Sequence, residues 1–383
     1  MSLVVFPFKD EPPSLISQNI EKALRHDGVD EVWGIAEPDT GIDEDLRNTV
    51  ARYSEYHSKP VDLLEQERIG ELRPGKGDAM NTAIRRAAEQ DRERVHFYDA
   101  DITNFDAGWI EGAERAADRG YGVVRHRFPR AATDAMITWF ITRPGLAMLF
   151  PDTILPRIDQ PLGGEFLVTT PALHALAASA DVRARSDWGI DTIVTYETAT
   201  LGVGLYEHHV TDGKRHALYG SLADLETMAV ECLDAVRSLQ GRPAPALNAK
   251  HASDSATPAP QDLKEMVAFD AEGTAAILET PLSADETDIA GMLPVPLEQA
   301  GADEDAWGAT LAHLIREFRL DLPQWRSLAF RLWVARVLAY TQEVVPRGYD
   351  GAMGYLETTI RGYETAARQA IVSRGQSESG PPG

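Results

Sequence analysis

The sequence predicts an α/β domain with a mainly parallel sheet, followed by a smaller all-helical part. Two observations carry that expectation. From residue 3 to residue 98, short β-prone apolar runs alternate with stretches of helical periodicity. After residue 261 no strand pattern returns.

Residues 3–6 (LVVF) read as the first strand, and 13–24 as a helix with Pro13 early, where helices favour proline. Strands at 31–35, 61–64 and 94–98 then alternate with helices at 43–57 and 78–88. This spacing is that of crossover-linked parallel strands. Beyond it, 109–119 reads as a helix and 121–126 as a strand. A long helix is expected over 133–149, with Thr133 as its N-cap, and another strand over 163–168. Leu225, Met228, Cys232, Val236 and Leu239 recur at helical spacing within 222–239, which assigns Met228 and Cys232 to core packing. Residues 241–261, rich in Pro, Ala and Ser, read as a linker or loop. Residues 305–318, 324–345 and 351–372 are helical in pattern. The expected division is a domain over 1–240, the linker 241–261, a helical domain over 262–373 and a disordered tail over 374–383.

Composition narrows the function classes. The 383 residues carry 60 acidic and 37 basic side chains, a net charge of −23, and only seven of the basic ones are lysines. Such a chain offers no basic stripe for nucleic acid, and no apolar run approaches a membrane span. Cys232 is the single cysteine, so no internal disulfide forms and a reducing compartment fits. The apolar start Leu3–Phe6 has no positive region before it and reads as a strand rather than a leader. A cytoplasmic protein is expected, with homo-oligomerisation left open. The acidic surface suits a saline cytosol, where screening removes its self-repulsion, and equally an ordinary acidic enzyme.

The most informative local pattern is Asp99-Ala100-Asp101, where the fourth strand should stop. Alternation aims side chains i and i+2 the same way, so both carboxylates can point beyond the carboxyl edge of the sheet, where open α/β sheets bind ligands. Hard oxygen donors suit Mg²⁺, Mn²⁺ or Ca²⁺, especially with a diphosphate supplying further oxygens. Lys76, framed by glycines at a helix start, offers that diphosphate a cation and free N–H groups. Arg125, Arg127 and Arg130 crowd six positions of RHRFPRAATD. No Gly-x-Gly-x-x-Gly follows the first strand and no Walker loop occurs, which disfavours a dinucleotide or P-loop site.

FPFK, QERIGELRPGKGDAMNTA, HFYDADIT, VRHRFPRAATDAMITW, QPLGGE, RSDWGIDT and GKRHALYG stand in the order found in bacterial mannosylglycerate synthases, retaining glycosyltransferases of the GT-A class. The chain resembles that family over roughly residues 1–240, and more weakly through the helical remainder. The resemblance implies a GT-A nucleotide-sugar-binding domain with a Rossmann-like mixed sheet. It further implies transfer of mannose from GDP-α-D-mannose to the 2-hydroxyl of D-glycerate, with a divalent cation.

Roles follow the matching motifs. Pro7, Phe8, Lys9 and Ile35 would hold the guanosine end, with Gln66 and Lys76 reaching base or phosphates. Asp99 would touch the donor ribose or sugar, and Asp101 with His216 would ligate the metal. Leu162 and Gly163 would line the mannose pocket. Arg130 would pair with the glycerate carboxylate, with the backbone of Ala135, Met136, Ile137 and Thr138 and the Tyr219 hydroxyl completing that site. Asp191 would bind hydroxyls of donor or acceptor. The blander alternatives are a core Ile35, a packed Tyr219, a solvated His216 and an Asp191 that caps a helix. A sister transferase with another nucleotide sugar, such as one making glucosylglycerate, is the nearest rival. A sugar-nucleotide pyrophosphorylase would carry its Gly-rich loop where Pro7-Phe8-Lys9 stands, and a degenerate sensor would lack Asp101 or His216.

Overall fold

A computed structural model describes residues 2–38, 42–217, 219–247 and 249–378. In chain order it contains β1 (Ser2–Phe8), α1 (Pro13–Leu24), β2 (Val29–Ala36), α2 (Glu44–His57), β3 (Val61–Glu65), α3 (Lys76–Glu89), β4 (Arg94–Phe97) and α4 (Ala107–Asp118). There follow β5 (Val123–Arg127), α5 (Arg143–Leu149), β6 (Phe166–Thr169), α6 (Thr170–Ala178), α7 (Ala180–Ala184), α8 (Ile190–Thr200), β7 (Leu205–His209), α9 (Glu226–Ser238) and β8 (His251–Ser253). The last helices are α10 (Gln261–Glu265), α11 (Ala271–Glu279), α12 (Ala284–Ala290), α13 (Glu304–Glu317), α14 (Pro323–Glu343) and α15 (Tyr349–Glu378).

Two compact units result. The first comprises Met1–Pro129, Leu162–Ala217 and Ala249–Pro260, and the second Arg130–Pro161, Leu218–Asn248 and Gln261–Gly383. The first unit holds one sheet in the order β3-β2-β1-β4-β6-β5-β7-β8. All neighbouring pairs are parallel except β4 with β6 and β5 with β6, so β6 alone runs backwards. Strand alternation divides β1: Val4, Phe6 and Phe8 join Ile16, Ile20 and Leu24 of α1, Leu46 and Val50 of α2 and Ile110 of α4 in one core. Helix α2 starts at Asp43, whose carboxylate accepts from the Leu46 N–H at 3.0 Å.

In the second unit the described elements are helical. Its core holds Trp307 and Trp333, each 1% exposed. Their indole N–H groups donate to the carbonyls of Phe140 (2.8 Å) and Met136 (3.3 Å), which ties residues 130–161 to α13 and α14. Tyr340 and Tyr349 donate to the carbonyls of Ala132 and Arg130 at 2.8 and 3.0 Å, and Arg143 clasps Glu357 at 2.7 and 3.1 Å.

Several expectations change. The helix expected over 133–149 starts later, because Ala135 sits at φ 57° and the chain then passes through a π-helical turn, Thr138–Thr142, before α5. A non-glycine residue in the left-handed region interrupts a helix, so Thr133 is not its cap. The strand expected at 163–168 is β6, shifted to Phe166–Thr169 and antiparallel to both neighbours. Residues 241–261 are not all linker: β8 lies within them and pairs parallel with β7. Residues 130–161 and 218–248 group with the C-terminal helices, where a boundary at residue 240 had been expected. The supposed tail is helical to Glu378, and 379–383 lie outside the described residues.

Candidate active site

The carboxyl edge of the sheet carries a row of alternating charges. Lys76, first residue of α3, places its Nζ 2.8 Å from Asp99 Oδ1 and 3.0 Å from Asp191 Oδ2. Lys214 places its Nζ 2.8 Å from Asp99 Oδ2 and 2.6 Å from Glu165 Oε1. The order is Asp191, Lys76, Asp99, Lys214, Glu165, drawn from five separate stretches of chain. Exposure falls to 10% for the Lys76 side chain, 7% for Lys214, 4% for Asp191 and nil for Glu165. Charges this deep persist only when paired.

The topology explains the convergence. Residues 99–101 leave β4 at its carboxyl end, and the reversed β6 begins at that same edge. Counting on from the pair Phe97↔Phe166 sets Asp99 opposite Gly164. A Cβ at Gly164 would overlap Asp99 Oδ1 and stand 2.6 Å from Lys76 Nζ, so only glycine admits the ion pair. Arg125 of β5, 1% exposed, donates from Nη2 to the Gly163 carbonyl at 2.8 Å and lies over the Phe166 ring. Trp188 stands beside Lys76, with the ammonium 5.7 Å from its ring centre.

Proton affinities follow the pairing. Burial works against the Asp99 carboxylate, but Lys214 and Lys76 outweigh it and hold its pKa well below the ordinary value. Burial likewise works against the Lys76 ammonium, and Asp191 and Asp99 outweigh it, so Lys76 keeps its proton well above its ordinary range. Asp191 and Glu165 are pushed up by burial, against the pull of Lys76 and Lys214 respectively. Asp191 Oδ1 is buried with no hydrogen-bond partner among the described residues. Asp191 lies in the first turn of α8 with Gly189 at the cap, so the capping alternative does not hold.

The segments bearing Asp101 and His216 are laced together. The Thr103 N–H and hydroxyl donate to the Arg215 carbonyl at 2.9 and 3.1 Å. Asn104 donates to the Gly213 carbonyl and accepts from the Arg215 N–H, both at 2.9 Å. Asp101 Oδ1 is buried without a partner among the described residues, the state of an oxygen awaiting a cation. His216 Nδ1 lies 2.8 Å from the Ala217 carbonyl, which can only accept. With Nδ1 turned to that carbonyl, Nε2 is the ring nitrogen that would take a metal. No group of three or more His, Cys, Asp or Glu suited to a metal occurs among the described residues. Two protein ligands completed by diphosphate oxygens fit this donor set.

The remaining expected residues divide between the units. In the first, Pro7 of β1 pairs with Ile35 of β2; Ile35 is fully buried and the Phe8 ring belongs to the core. Lys9 is exposed and pairs with Glu37 at 2.9 Å. Gln66 is 7% exposed at the end of β3, while Leu162 is half-buried beside the buried Gly163. Thus Lys76, Asp99 and Asp191 are brought into direct contact, whereas Lys9 is tied elsewhere. In the second unit, Arg130 Nη1 is 2.9 Å from Asp134 Oδ2, and Asp134 Oδ1 accepts from the Ala135 N–H at 2.7 Å. Met136, Ile137 and Thr138 are buried, and Tyr219 is half-buried. Sequence reasoning passed over Glu165 and Lys214, although QPLGGE and GKRHALYG contain them.

Comparison with known proteins places the chain. A family model described as the mannosylglycerate synthase GT domain matches residues 2–238, and one for the C-terminal domain of the same enzyme matches residues 263–360. A mannosylglycerate synthase from Rhodothermus marinus is 43% identical over 398 residues, covering 100% of this chain and 98% of that protein. One from Selaginella moellendorffii is 40% identical over 390 residues, covering 98% and 92%. Among solved structures, glucosyl-3-phosphoglycerate synthase from Mycobacterium tuberculosis in complex with phosphoglyceric acid aligns at TM-score 0.49 and 21% identity. It covers 63% of this chain and 81% of that one.

Proposed function

Since the chain belongs to the mannosylglycerate synthase family and is therefore a glycosyltransferase, we propose that it transfers mannose from GDP-α-D-mannose to the 2-hydroxyl of D-glycerate. The products are 2-O-α-D-mannosylglycerate and GDP, with the anomeric configuration retained. The observation that carries the reading is the contact of Lys76 with both Asp99 and Asp191 at the carboxyl edge of the sheet. A mannosylglycerate of this kind is a compatible solute, in keeping with the −23 charge and a saline cytosol.

In the reaction the bond from the anomeric carbon to the β-phosphate oxygen breaks, and a bond to the glycerate 2-oxygen forms on the same face. The hydroxyl proton passes to the departing phosphate oxygen. Asp101 and His216 would hold a divalent cation that neutralises charge on the diphosphate as a Lewis acid. Lys76, locked in its charged form, adds a fixed cation beside the phosphates. Asp191 offers its unpartnered oxygen to a sugar or acceptor hydroxyl and orients it, without attacking carbon. Arg130 grips the glycerate carboxylate through its guanidinium fork.

The test incubates pure protein with D-glycerate, Mg²⁺ or Mn²⁺ and a panel of nucleotide sugars, with proton NMR of the product. An α-linked mannosylglycerate from GDP-mannose alone is expected. A preferred glucose donor overturns the donor reading. A mannosyl adduct on Asp191 in mass spectra overturns same-face attack in favour of the covalent route of retaining glycosidases.

A further inference from the structure

Lys214 and Glu165 have no part in the mechanism above, yet they are among the most deeply buried charges of the first unit, at 7% and 0% side-chain exposure. Lys214 bonds Glu165 at 2.6 Å and Asp99 at 2.8 Å. It also stands two residues before His216, in the segment whose neighbours Gly213 and Arg215 are laced to Asn104 and Thr103. This side chain therefore ties the loop carrying His216 to the strand-end carboxylate Asp99, two residues before Asp101, and to Glu165. Glu165 neutralises it from below. Glu165 is itself fixed by the backbone, since its carbonyl accepts the His126 N–H at 3.0 Å.

We propose that Lys214 and Glu165 are positioning residues that assemble the metal and diphosphate end of the site before any ligand arrives. The proposal rests on the reading that Asp101 and His216 hold the cation. Four hydrogen bonds tie the 213–216 segment to residues 103–104, and the Lys214 ammonium adds a tie to the sheet edge. Glu165 makes it possible, because a lysine this deep beside only the shared Asp99 would lack its own counter-charge. Groups that orient ligands in this way alter metal affinity by about 10–100-fold when removed.

The experiment measures Mn²⁺ uptake directly, from the electron paramagnetic resonance signal of free Mn²⁺. It uses the full chain with whichever of GDP, UDP or ADP the wild-type protein binds best. Lys214→Met should weaken Mn²⁺ uptake by about tenfold or more, and Glu165→Gln by a smaller factor in the same direction. The two together should cost less than the product of the single effects, since both act through one link. Lys214→Arg, which keeps the charge, should restore most of the affinity. The glycerate KM should stay within about twofold throughout, with circular dichroism reporting the fold. If Lys214→Met does not fold, Glu165→Gln decides the matter. Folded Lys214→Met or Glu165→Gln with wild-type Mn²⁺ uptake overturns the proposal, as does a wild-type chain that takes up no Mn²⁺ with any diphosphate. If uptake falls as expected but mannose is not transferred to glycerate, the proposed function fails and the positioning role stands.

Discussion

The first unit buries two polar rows and solves the problem of each differently. At the carboxyl edge, the carboxylates Asp191, Asp99 and Glu165 alternate with the ammoniums of Lys76 and Lys214, three negative charges against two positive. Inside the sheet, His96, Tyr98 and His126, at 0%, 0% and 1% exposure, stay neutral. Glu114, held down to about 2 by hydrogen bonds from His96, Ser2 and Arg94 despite its burial, accepts from His96 Nε2 at 2.7 Å. His96 Nδ1 must then accept from the Tyr98 hydroxyl (3.3 Å), which in turn accepts from His126 Nε2 (3.1 Å). Burial drives the pKa of His126 well below its ordinary value, with His208 and His96 adding to the effect, and lowers that of His96. A neutral row tolerates a closed core and needs no ligand. A charged row at an edge, with one carboxylate more than it has ammoniums, leaves room for a further cation.

The contrast breaks most sharply at Lys76. Lys76→Met strands Asp191 beside Asp99, and removing one partner of a buried pair costs about 3–5 kcal/mol. At about 2–4 °C per kcal/mol for chains of 150–250 residues and less for larger ones, the melting temperature should fall by several degrees and transfer should collapse. Adding Asp191→Asn should recover much of the melting temperature but none of the turnover. Recovery of neither would mean that the row is not a stability unit.

Asp101 sharpens the boundary, since it stands outside the row. Asp101→Ala should cut turnover by about 10³-fold, the loss of several kcal/mol of charge stabilisation, with the melting temperature nearly unchanged. Full activity of this variant in excess chelator would remove the cation from the account.

Arg130 extends the comparison to the second unit, where its partner Asp134 is four residues away in sequence. The Asp134 side chain is 8% exposed, so Arg130→Ala takes a charge partner from a buried carboxylate and should also lower the melting temperature. It should raise the glycerate KM about tenfold, from a charged contact contributing about 1.5–3 kcal/mol, while the GDP-mannose KM hardly moves. Equal use of glycerol and glycerate by the wild-type enzyme would assign this arginine another job.

The histidine row predicts the smallest effect and its sign. Below the ordinary histidine value of 6.5 the unfolded chain takes up protons that buried His126 and His96 refuse. Stability is therefore full above that pH and declines as pH falls, by at most about 1.4 kcal/mol per pH unit for each histidine. Asp191 and Glu165, with raised pKa values, work in the opposite direction. A His126→Gln variant should lose its share of the slope in thermal melts between pH 7 and 5; an unchanged slope would place a proton on the native ring.

What the sequence disclosed and what it hid have physical causes. β1 to β4 and α1 to α4 were legible because each carries its own apolar period and its own stops. The helix α1 has the bounds expected, and Asp43 marks the start of α2. The reversal of β6 was hidden, since a strand has no local signature of direction. β8 was hidden within a Pro- and Ala-rich stretch, because its pairing comes from β7 rather than from its own composition. Nothing near Ala135 announces a left-handed residue. Lys76, Asp99 and Asp191 stood out through motif and position. Glu165 and Lys214 did not, since isolated charges default to solvent and only tertiary pairing makes them interior.

Because β5 leaves and β6 returns at the same edge, on strands paired through Arg125↔Phe166 and so about 4.8 Å apart, the chain goes out and comes back through one doorway. Residues 130–161 are the excursion between, and they belong to the second unit. That is the geometry of an insertion, which a fold accepts when its two ends nearly meet. It also makes the units inseparable by a single cut. Ending the chain after residue 260 would leave Phe140 without Trp307 and Ala132 without Tyr340, two ordered contacts stripped of their partners. Neither unit could be inherited as one continuous stretch without a piece of the other.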